Sequence, residues 1–116
     1  MGSSFRDLIV WQRAIQTSVA VYKLTSEFPD QERYGSTNQL RRASVSVASN
    51  IAEGYGRASP GEYKQSLGMA RGSNSEVETQ LVLAEELGFG GRMLRGEAAS
   101  LNTEVGKMLN AVMRNL

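Results

Sequence analysis

Ten arginines, three lysines and twelve Asp and Glu side chains carry all the ionic chemistry available to this sequence, because it contains neither cysteine nor histidine. That absence removes disulfides, thiolate nucleophiles, the usual zinc ligand sets and imidazole acid–base catalysis together. Two-metal centres in helical bundles pair glutamates with Glu-x-x-His motifs, so Glu53, Glu62, Glu76, Glu78, Glu85 and Glu86 read as structural. No metal or cofactor is expected. A serine nucleophile would lack its histidine base, and a Ser–Lys pair has only Lys23, Lys64 and Lys107 to draw on. The residue types argue against an enzyme.

What remains is arginine, whose planar fork meets carboxylates or phosphates two bonds at a time. Net charge is only +1, so no global field announces a nucleic-acid partner, and ion pairs within and between subunits are the first reading of the arginine excess. The segment Gly54-Tyr55-Gly56-Arg57-Ala58-Ser59 lacks the third glycine of a dinucleotide loop and the Gly-Lys-Ser/Thr ending of a P-loop. At most, free N–H groups at the start of the following helix, beside Arg57 and Lys64, offer one backbone phosphate a seat; an ordinary capped turn is the plainer reading.

The elements that position these groups follow from period and punctuation. Leu8, Trp11, Ile15, Val19 and Tyr22 recur at three- and four-residue steps, predicting a helix over about 7–27 that closes at Phe28-Pro29. A polar link precedes a second helix at about 37–55. Ser59 as N-cap with Pro60 at the first helical position starts a third, 60–87, with Glu62 placed to complete a capping box and Gly88 to end it. Its expected seam is Tyr63, Leu67, Ala70, Asn74, Val77, Leu81 and Ala84. A fourth helix, 92–115, carries Leu94, Ala98, Leu101, Val105, Met108 and Val112. Short connections then predict an all-α, up-down-up-down four-helix bundle in a single domain. The longest uncharged run, ten residues between Arg42 and Glu53, is half a bilayer span, so no membrane partner is expected; nor does the N-terminus read as a secretory signal, and a cytoplasmic location follows.

Helix 2 predicts self-association. Leu40, Val47 and Ile51 form one apolar stripe and Val45, Ala48, Ala52 and Tyr55 another, while Arg42, Ser46, Ser49 and Glu53 are charged only at the two ends. A helix covered on nearly all sides needs a second subunit. Polar residues also fall near the inner faces: Asn74 on the third seam, Asn50 beside Ile51, and Arg41, Arg42, Glu53 and Glu78 within reach of adjacent helices. Buried charges must pair, so a network joining Arg41 or Arg42 to Glu53 or Glu78 is expected to fix register.

Alternating helix directions would gather Arg6, Arg13, Arg57, Lys64, Lys107 and Arg114 at one end against Asp7, Glu53, Glu62 and Glu104. The other end would collect Glu27, Asp30, Glu32, Glu85, Glu86 and Glu97 against Lys23, Arg33, Arg92 and Arg95. Such a polarised bundle could follow the phosphate backbone of RNA or DNA without reading bases. Two functions stand side by side: a nucleic-acid-binding accessory module, and a scaffold for protein partners.

Several strings carry a resemblance. Leu8-Ile9-Val10-Trp11-Gln12-Arg13-Ala14, Phe28-Pro29, Tyr34-Gly35, Gln39-Leu40-Arg41-Arg42-Ala43, Asn50-Ile51-Ala52-Glu53-Gly54, Gly72-Ser73 and Glu76-Val77-Glu78-Thr79-Gln80-Leu81 fall in the order found in the 23S rRNA-intervening-sequence proteins. The chain resembles that family over its first three helices, departing at Ala48, where proline is frequent, and at Ser36, where leucine is. The resemblance implies an all-α bundle assembled as a ring-like homo-oligomer, typically a pentamer.

Overall fold

Four helices, α1 (Ile9–Thr25), α2 (Asn38–Tyr55), α3 (Pro60–Leu87) and α4 (Arg92–Arg114), account for most of the chain in this computed structural model, which describes residues 4–57 and 59–116. Helices α1 and α2, α2 and α3, α3 and α4, and α4 and α1 pack against one another, so each helix has two neighbours around a shared core. No strand occurs among the described residues. None of the helices is long and apolar enough to cross a membrane.

Local chemistry sets the helix boundaries. Ser59 Oγ accepts a hydrogen bond from Glu62 N at 3.2 Å and Pro60 occupies the first turn of α3, which satisfies one exposed N–H and presets the backbone. Gly88, at φ +72°, ends the same helix in the left-handed region that glycine adopts without a Cβ clash. At the other end of the chain α1 starts at Ile9 instead of residue 7. Ser4 caps a separate 3-10 turn, Phe5–Asp7, in a reciprocal box with Asp7, and Leu8 is extended, so the helix begins anew after it. The link between α1 and α2 is also more ordered than its polar sequence predicts: a 3-10 turn, Asp30–Glu32, runs into a π-type turn, Arg33–Thr37, where the Glu32 carboxylate accepts from Ser36 N.

Every helix buries residues at alternating four- and three-residue steps. The rows are Val10, Ala14, Thr17, Val21 and Leu24 on α1; Leu40, Ser44, Val47, Ile51 and Gly54 on α2; Leu67, Ala70, Asn74, Val77, Leu81 and Ala84 on α3; and Ala98, Asn102, Val105 and Leu109 on α4. The α3 row is the one its sequence predicts. On α1 the expected stripe is displaced: Ile15, Val19 and Tyr22 are 37%, 50% and 45% exposed, and the small residues Ala14, Thr17 and Ser18 face inward instead. Apolar residues encircle α1, and its packing against both α2 and α4 selects the side that is buried. On α4 the buried row lies one position beyond much of the expected seam, at Asn102 and Leu109, leaving Leu101, Met108 and Val112 half-buried at its edge.

The core divides into two apolar clusters. One gathers Val21, Leu24, Phe28, Leu40, Val77 and Leu81, the other Val10, Val47, Ile51, Leu67, Val105 and Leu109. Side chains as fully buried as Leu24, Leu40, Ile51, Leu67 and Leu109 each contribute about 1.5–3 kcal/mol by leaving water.

Candidate functional site

Between the two clusters every helix contributes a buried polar residue: Thr17 and Ser18 from α1, Ser44 from α2, Asn74 from α3 and Asn102 from α4. The asparagines bond each other. Asn74 Nδ2 donates to both the backbone carbonyl and Oδ1 of Asn102 at 2.9 Å, and Asn102 Nδ2 returns a bond to the Asn74 carbonyl at 3.0 Å. Gly106 makes room for the pair, since a Cβ there would stand 2.8 Å from Asn74 Oδ1. Thr17 and Ser44 satisfy their hydroxyls on the carbonyls of Arg13 and Arg41. Ser18 Oγ is buried and has no hydrogen-bond partner among the described residues. The Asn74–Asn102 pair disfavours any register of α3 against α4 that separates the two, whereas Thr17 and Ser44 bond only within their own helices.

The charged network expected around this layer takes other partners. Arg41 Nε donates to Thr25 Oγ1 at 2.7 Å, Nη2 reaches the Tyr22 carbonyl at 3.4 Å, and the guanidinium lies 4.4 Å above the Tyr22 ring. Arg41 therefore ties α2 to the end of α1. Arg42 is exposed, Glu53 pairs with Arg57 one turn on, and Glu78 is exposed beside the α3–α4 groove. Neither ion pair among the described residues joins Arg41 or Arg42 to Glu53 or Glu78. The reason is radial position: those carboxylates lie on outer rows, where water solvates them at less cost than burial would. Asn50 bonds the Ser46 carbonyl and hydroxyl within α2, and Ser46 Oγ accepts from Ser73 of α3 at 2.9 Å.

Of the six cations expected at one end, two are committed to carboxylates. Arg13 Nε bonds Glu104 Oε1 at 2.9 Å, linking α1 to α4, and Arg57 holds Glu53. Arg6, Lys64, Lys107 and Arg114 are exposed and take part in neither ion pair. Sequence reasoning overlooked a further cation, Arg71, whose Nη1 donates to Asn110 Oδ1 of α4 at 3.2 Å. Its spacing was the available signal, seven residues after Lys64 on the same row. The turn suggested as a phosphate seat includes Ala58, which lies outside the described residues; Ser59 already occupies the Glu62 N–H beside it.

Two surface features complete the picture. Ile15, Val19 and Tyr22 on α1 form an exposed apolar row, and Tyr22 and Val45 line a shallow groove with Arg41 and Arg42. Elsewhere Tyr63 packs edge-on against Tyr55, ring centroids 6.1 Å apart; burial, and secondarily Tyr55, raises its phenol above the ordinary value of 10.0. No group of three carboxylates convergent enough to hold a metal occurs among the described residues.

The fold and surface define an all-helical protein of four packed helices with an internal polar layer. The chain belongs to the 23S rRNA-intervening sequence protein family, whose family model matches residues 6–111. A solved structure from Bacteroides thetaiotaomicron, described as a protein with unknown function from the S23 ribosomal protein family, is similar at 21% identity. It covers 90% of this chain and 98% of its own, with a TM-score of 0.83, a likeness of fold. No curated protein matches the chain.

Proposed function

We infer that this protein is a non-enzymatic, self-assembling accessory module: an up-down-up-down bundle whose copies meet through the outer faces of α1 and α2, and whose more basic end contacts RNA or DNA. The observation that carries the reading is the exposed row Ile15, Val19 and Tyr22, beside Val45, on a stretch of α1 without charge between Arg13 and Lys23. Burying apolar surface is worth about 25 cal/mol per Å², so a row of this kind gains from a second surface of the same character. The family resemblance favours closure into a ring, a pentamer. Alternating helix direction is supported by the contacts Arg41–Thr25, Gln80–Gln39, Arg71–Asn110 and Gly91–Glu27, which pair the earlier part of one helix with the later part of its neighbour.

The nucleic-acid component rests on the cations of one end that no carboxylate engages among the described residues, Arg6, Lys64, Lys107 and Arg114. Repeated around a ring they would present a surface that a phosphate backbone follows without base readout. Light scattering tests assembly. A multiple of 12.7 kDa at micromolar concentration is expected, falling towards the monomer in Val19→Glu; a stable mass of 12.7 kDa for the unaltered protein overturns the reading. An assembled protein that binds no RNA or DNA at low salt is instead a scaffold for protein partners.

A further inference from the structure

Four residues of α3 at seven-residue steps, Lys64, Arg71, Glu78 and Glu85, are all exposed, and their charge changes sign halfway along the helix. The bond from Arg71 to Asn110 and the approach of Gly68 to Met113 set the first half of α3 against the second half of α4, where Lys107 and Arg114 are again seven residues apart. Residues 60–75 and 103–116 contain only two carboxylates, Glu62 and Glu104, and Glu104 is held by Arg13. Beyond Arg71 the groove between the helices is lined by Glu78 and Glu85 together with Arg92 and Arg95, so the run of unopposed cations gives way to mixed charge there.

We propose that Lys64, Arg71, Lys107 and Arg114 form a two-row track on the α3–α4 face for the phosphodiester backbone of duplex nucleic acid. This rests on the nucleic-acid reading above and moves the contact from the α2–α3 turn, where Arg57 is committed to Glu53, to the side of the bundle. Seven residues of helix advance about 10 Å, far enough for the two cations of a row to engage separate phosphates of a duplex strand. Stacking platforms for unpaired bases need aromatic side chains. Helix α4 has none, and the one aromatic residue of α3, Tyr63, is packed against Tyr55. The track consequently favours duplex over single strand and tolerates any sequence. Past Arg71 the α3 row turns acidic at Glu78 and Glu85, which offer a backbone no phosphate contact on that helix.

The test is a titration of the intact protein with duplex RNA, duplex DNA and a single strand of equal length, at about 50 mM and about 200 mM salt. Arg71→Gln/Lys107→Gln should weaken duplex binding at least about tenfold and reduce the salt slope by about two, one for each lost phosphate contact. Arg33→Gln/Arg92→Gln, at the other end, should leave both unchanged. Arg71→Lys keeps the charge and should retain most of the binding, which separates a phosphate contact from damage to the fold. If the protein binds duplex but Arg71→Gln/Lys107→Gln does not weaken it while Arg6→Gln/Arg57→Gln does, the track is wrong and the nucleic-acid reading stands. Preference for the single strand likewise overturns the track. Absence of any binding at about 50 mM salt removes both.

Discussion

Asn74 and Asn102 close three hydrogen bonds between α3 and α4 at 2.9–3.0 Å, in a plane where both residues are almost fully buried. Each satisfies what the other would leave unpaired in an apolar interior. Replacing either one by Ala should cost about 1–3 kcal/mol, and the double variant should cost clearly less than the sum. Chemical denaturation of the four proteins forms the cycle. Strict additivity would show that the pair does not act as a unit.

Ser18 is the counterpart that lacks a partner among the described residues, its Oγ buried at the same level of the bundle. Ser18→Ala removes an unpaid desolvation cost and adds helix propensity, so stability should rise by up to about 1 kcal/mol. A fall of that size in the denaturation midpoint would mean the hydroxyl has a partner in solution.

Two helical glycines should respond with opposite sign to the same substitution. A Cβ on Gly54 would stand 2.6 Å from Ser66 Cβ and 3.1 Å from Tyr63 Cδ1, whereas one on Gly72 meets nothing within 4 Å. Gly54→Ala should destabilise by about 1–3 kcal/mol through overpacking between α2 and α3, and Gly72→Ala should stabilise by up to about 1 kcal/mol. Thermal melts of both variants decide the matter, and a stabilising Gly54→Ala would contradict the close approach of α2 to α3.

Tyr63 gives a pH signature. Its folded phenol titrates above the 10.0 of the unfolded chain, chiefly because it is desolvated and next because of Tyr55. Below pH 10 both states keep the proton and its contribution is complete. As pH rises beyond 10 the unfolded state ionises first, and stability is lost up to the folded value. The melting temperature should therefore fall over that interval more steeply in the unaltered protein than in Tyr63→Phe. Parallel curves for the two would exclude the linkage.

The sequence by itself determined the number of helices, the boundaries set by Ser59-Pro60 and Gly88, and the whole buried row of α3, because caps, glycines and a clean four-three period act within a few residues. It also placed Asn74 on a seam. What it left open was direction around the less periodic helices. On α1 apolar residues lie on every side, and only packing against α2 and α4 decided that Ala14, Thr17 and Ser18 face inward while Ile15, Val19 and Tyr22 face out. Asn102 and Leu109 replaced their neighbours Leu101 and Met108 in the α4 row for a related reason: Asn102 finds the amide of Asn74, a partner 28 residues away that no local pattern announces. Charge pairing was equally a tertiary matter. Arg41 and Glu53 share a helix and read in sequence as members of one network, yet one is drawn to Thr25 and Tyr22 across a helix interface while the other stays outside with Arg57, because the cost of burying a charge depends on depth in the bundle, which only the packed helices define.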